Sequence, residues 1–123
     1  MEDVSNVDRL MIIQSLQSTI RKLENASSQM IRSGANTTLV EKRLKAVRIG
    51  LAALEGVWDQ RNHRYSQTDL EEARSVIVSL LPSIENSYAK SKEGSPQRTL
   101  LTRRMKALEL AVQAIGISSA ASP

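Results

Sequence analysis

The stretch TLVEKRLKAVRIGLAALEGVW, residues 38–58, decides the fold. Within it Val40, Leu44, Val47, Leu51, Leu54 and Trp58 follow one another at steps of four and three residues. That spacing lines side chains along one face of an α-helix, and a helix with one apolar face has to bury it against other elements. Thr38 and Glu41 have the form of a capping box at its start.

The same pattern recurs along the chain. Leu101, Met105, Leu108, Val112 and Ile115 mark a fourth helix, opened by Ser95-Pro96 in the cap and first-turn positions that suit those residues. A first helix carries Ile13, Leu16, Ile20, Leu23 and Met30 and is expected to stop near Gly34, a residue suited to the left-handed position after a helix end. A third carries Leu70, Ala73, Ile77, Leu81, Ile84 and Tyr88. Pro82 lies inside it and removes a backbone donor, which predicts a kink or break there. The first and third helices open on the same S-x-x-D capping form, Ser5 to Asp8 and Ser66 to Asp69.

Sliding the chain against itself by 61 residues pairs those caps and then keeps pairing. Ser18 falls on Ser79, Glu24-Asn25 on Glu85-Asn86, Thr38-Leu39 on Thr99-Leu100, Arg43 on Arg104, Lys45-Ala46 on Lys106-Ala107 and Ala53 on Ala114. So many coincidences in one register point to a duplicated helical hairpin. The expected architecture is all-α: an antiparallel four-helix bundle built from hairpins at about 5–58 and 66–117, with the second and fourth helices diagonal to each other. Residues 1–117 are expected to form one domain, and 118–123 a small-residue tail or linker that frays.

At 123 residues, with 41% apolar and 24% charged side chains, the chain has an ordinary globular balance and room for one core. It has no cysteine, which removes disulfides, thiolate metal sites and a thiol nucleophile together. The acidic opening Met1-Glu2-Asp3 is unlike a secretory signal, and no apolar run approaches the ~20 residues of a membrane span. An intracellular protein, cytoplasmic or nuclear, is the expectation.

Chemistry is sparse. The single histidine, His63, stands in the polar connection between the hairpins beside Arg61 and Arg64, which disfavour its charged form. Asp59 lies four residues before it, but a metal site needs three or four ligands, and Glu71 and Glu72 are accounted for by the dipole at the start of the third helix. One tryptophan, two tyrosines and no phenylalanine provide no set of rings for stacking bases. No enzyme and no cofactor are expected.

What the repeat does preserve is a surface. On a helical wheel Ala46, Ile49 and Ala53 lie off the Val40 to Trp58 seam, and Ala107, Leu110 and Ala114 repeat them in the fourth helix. If that strip is exposed it is a docking face for a partner helix or a second copy of the chain, and a charge at Ile49 and Leu110 would abolish association without loss of helix. The alternative is that these two helices are buried on more than one side. Beside the strip stand two basic clusters, Lys42, Arg43 and Lys45 in one helix and Arg103, Arg104 and Lys106 in the other. With a net charge of +4, they suit an acidic partner, a phosphate or nucleic acid.

The leucine-rich run from Leu44 through Leu51, Leu54 and Glu55 to Trp58, the polar break at His63, and Ile84-Glu85 with Tyr88 beyond it carry a family likeness. In these features residues 10–90 resemble the helical N-terminal Gag region of arthropod Pao/BEL-type retrotransposons. The resemblance implies an assembly or interaction module, one that a host could have domesticated. The chain has no zinc knuckle, so packaging of nucleic acid does not carry over. The expected function is therefore a non-enzymatic adaptor-like module for self-association or protein docking, with binding of nucleic acid or an acidic partner through the basic clusters as the alternative.

Overall fold

The structure is a computed structural model that describes residues 3–61 and 64–121, with side chains through Ser119. The described residues fold as four helices without strands: α1 (Asn6–Ser33), α2 (Thr38–Asp59), α3 (Gln67–Lys90) and α4 (Pro96–Ala121). The fold is all-α, and its helix contacts are those of a bundle.

The ends follow the local chemistry. Ser5 Oγ accepts from the Asp8 N–H at 3.2 Å, and Ser66 with Asp69 forms a complete capping box. At the far end of α1, Gly34 adopts φ 75°, its N–H donates to the Ile31 carbonyl at 3.2 Å and that of Ala35 to the Met30 carbonyl at 2.8 Å, a closure that satisfies two of the last carbonyls. The start of α2 differs from expectation. Thr38 is already helical, and Asn36 Oδ1 accepts from its N–H at 2.9 Å, so the Thr38–Glu41 box does not form. At α4, Ser95 Oγ accepts from the Arg98 N–H at 3.2 Å, with Pro96 in the first helical position.

Two expectations about length also change. α3 runs unbroken through Pro82, because that residue and Val78, whose carbonyl it cannot satisfy, are both on the exposed side of the helix. α4 continues past Ser118 to Ala121 instead of giving way to a tail. Alanine there, the best helix former, offsets the weaker propensity of serine.

Side-chain contacts tie α1 to α2 and α3 to α4. The Arg9 guanidinium lies 5.3 Å from the Trp58 ring centroid, and Arg48 pairs with Glu24 at 2.6 Å. Arg98 lies over Tyr88 at 4.3 Å, while Gln67 donates to Ser119.

Across the bundle, α2 and α4 pack directly on each other, and α1 and α3 each touch both of them but not one another. The expected diagonal pair is thus the close pair. Each of α2 and α4 has three neighbours, and each consequently buries two stripes. Val47, Leu54, Leu108 and Ile115 of the expected seams are inaccessible, and so are Ile49, Ala53, Leu110 and Ala114 from the second stripe. Small side chains permit this approach. A Cβ added to Gly50 would stand 3.0 Å from the Ala111 Cβ, so the two helices meet almost backbone to backbone at that point.

Candidate functional site

The strip expected to dock a partner is inside the molecule. Ala46 is 2% exposed, Ile49 and Ala53 1%, and Ala107, Leu110 and Ala114 are fully buried. These six residues are core, with Ala46 and Ile49 also reaching the seam of α2 with α3, and the exposure expected of them is corrected. The wheel assumed one buried face per helix, whereas a helix with three neighbours has two. Glutamate at Ile49 and Leu110 would enter that core, and the helical signal would be lost along with any association.

The two basic clusters separate onto different seams. Lys42 and Lys45 line the seam of α2 with α3, and Arg103, Arg104 and Lys106 that of α1 with α4. Lys45 pairs with Asp69 at 3.2 Å, and this contact, backed by the Ser66 N–H and hydroxyl, holds the Asp69 carboxyl below its ordinary value of 3.8. Glu72 shares the same seam. Arg43, between the two lysines, is half-buried.

The seam of α1 with α4 is open. A hollow of about 420 Å³ is lined by Val4, Met11 and Ile12 on its apolar side and by Asp3, Asp8, Thr102, Arg103 and Lys106 around them. A second hollow of about 200 Å³ shares Met11 and Arg103 with it and continues past Gln14, Ser15 and Ser18 to Leu100 and Arg104. Together they form one groove. Its carboxylates, Asp3 and Asp8, are at the end that holds Lys106. The other end has two guanidinium groups and no carboxylate. Arg103 and Arg104 make no ion pair among the described residues, and the Nε of Arg104 is buried without an acceptor. A buried donor left unmet costs free energy, and a guanidinium fork suits a carboxylate or phosphate better than any other group.

Sequence reasoning found the three cations of this groove but not its floor. Met11 was available as a signal, because 61 residues later the corresponding position is Glu72. His63 lies outside the described residues. Among the described residues no three of histidine, cysteine, aspartate and glutamate are grouped as metal ligands. No described helix is long and apolar enough to cross a membrane.

Compared with known proteins, the chain matches no protein family, no curated relative and no solved structure.

Proposed function

We propose that this chain is a non-enzymatic helical interaction module whose docking surface is the groove between α1 and α4, and that its partner is an acidic amphipathic helix of another protein. The observation that carries the reading is the pair Arg103 and Arg104, without ion-pair partners beside an apolar floor. An interhelical groove takes the apolar face of a partner helix, and cations on its rim orient a helix of opposite charge. The net charge of +4 favours the same encounter. The likeness to a Gag assembly region is in keeping with such a role, as is the scarcity of rings for stacking bases.

The test is fluorescence anisotropy of the whole chain against a labelled helical peptide of glutamate and leucine, at low and at moderate salt. Binding that weakens with salt, and that falls when glutamine replaces glutamate in the peptide, is the expected result. Absence of binding at low salt refutes the reading. Tighter binding of a single-stranded or duplex oligonucleotide than of the peptide refutes it in favour of a nucleic-acid surface, whose affinity would decline with salt in proportion to the phosphates contacted.

A further inference from the structure

The seams of α1 with α4 and of α2 with α3 occupy corresponding positions at the 61-residue offset. Asp8 corresponds to Asp69, Met11 to Glu72, Ile12 to Ala73, Ser15 to Val76, Arg103 to Lys42 and Lys106 to Lys45. These residues line the hollows of the two seams. Yet one seam encloses about 420 Å³ and the other about 30 Å³.

The differences at those positions account for the closure. Glu72 sets a carboxylate beside Lys42 and Lys45 where α1 has the neutral Met11. Ala73 leaves less side chain between α3 and α2 than Ile12 leaves between α1 and α4. Val76 fills space where α1 has the small Ser15. Lys45 is already paired with Asp69. The seam of α2 with α3 is therefore the narrower of the two, and one of its lysines is occupied by a carboxylate of α3.

We infer that the domain has one acidic-partner site and not two: Arg103 and Arg104 receive a partner carboxylate, with the aliphatic part of that side chain against Met11 and Leu100. The cluster at Lys42, Arg43 and Lys45 takes no part. The inference rests on the docking reading above and specifies which copy of the repeated surface performs it. Arginine where the other seam has Lys42 fits this role, since its planar fork binds a carboxylate through two parallel hydrogen bonds and an ammonium cannot.

The experiment is a calorimetric titration of the whole chain with the same glutamate and leucine peptide, beside thermal melts by circular dichroism. Variants are Met11→Glu, which installs the residue of the closed seam, Arg103→Gln and Lys42→Gln. All three positions are on the surface or half-buried, so folded proteins are expected. The wild type should bind one peptide per chain, and Met11→Glu and Arg103→Gln should each weaken it by about tenfold or more, the loss of one charge-assisted contact. Lys42→Gln should leave it within about twofold, as expected of a residue outside the contact. Two peptides per chain overturn the single site while leaving docking intact, as does a loss at Lys42 equal to that at Arg103 or unchanged binding by Met11→Glu. Failure of the wild type to bind at all overturns the docking reading itself, and the inference with it.

Discussion

Asp69 links three groups: its carboxylate accepts from Lys45 across the seam and from the Ser66 backbone N–H, while its own N–H donates to the Ser66 hydroxyl. The carboxyl titrates below its ordinary value because the first two contacts favour the charged form. A group whose folded pKa is lowered adds stability that is fully present above its unfolded value, 3.8 here, and that is lost as pH falls through the folded one. Asp69→Asn should therefore melt at a lower temperature than the wild type from pH 5 to 8, with the gap closing below about pH 4 as the wild-type carboxyl protonates. A gap that persists unchanged into strong acid would show that the charge is irrelevant. The cap was legible from Ser66 and Asp69 alone, because capping is a matter of four consecutive residues. The contact with Lys45 was not, because it depends on where α2 comes to lie.

At the scale of elements, Gly50 fixes how closely α2 and α4 approach. Alanine at this position gains up to about 1 kcal/mol in helix propensity. The new methyl would meet the Ala111 Cβ at 3.0 Å and Ile77 Cδ1 at 3.1 Å, and the first of these is tied to the backbone of α4. Overpacking of this kind costs about 1–3 kcal/mol, so Gly50→Ala should be net destabilising in urea melts. In an Ala111→Gly background the same substitution should become neutral or stabilising, and a coupling near zero between the two would place the helices further apart than described. The first apolar stripe of each helix was legible, since leucine and valine at steps of three and four mark it without ambiguity. The second stripe is written mainly in alanine and glycine, whose size suits either a close helix contact or a solvent face. The number of neighbours decides between them, and that number is a property of the assembled bundle. The groove was hidden for a similar reason. Its cations could be seen in the sequence, but its emptiness depends on how far α1 stands from α4.

Across the whole molecule, burial is unevenly shared. α2 and α4 bury two stripes each and hold the most inaccessible side chains, while α1 buries only Ile12, Leu16, Thr19 and Ser27 along its 28 residues. Val7, Leu10 and Ile31 of α1 are more than half exposed. The separation of α1 from α3 bears on motion. A helix held by two neighbours and a thin apolar stripe opens at lower free energy than one held by three, and amide hydrogen exchange reads that difference directly. Amides in the middle of α2 and α4 should exchange only through global unfolding, and those of α1 through a cheaper local opening; uniform protection along all four helices would argue against this hierarchy. The consequence is a coupling between occupancy and order. A helix held by only two neighbours is one wall of the open groove, so whatever lodges between α1 and α4 also stiffens a segment inclined to leave, and part of its binding free energy is spent on ordering the domain that receives it.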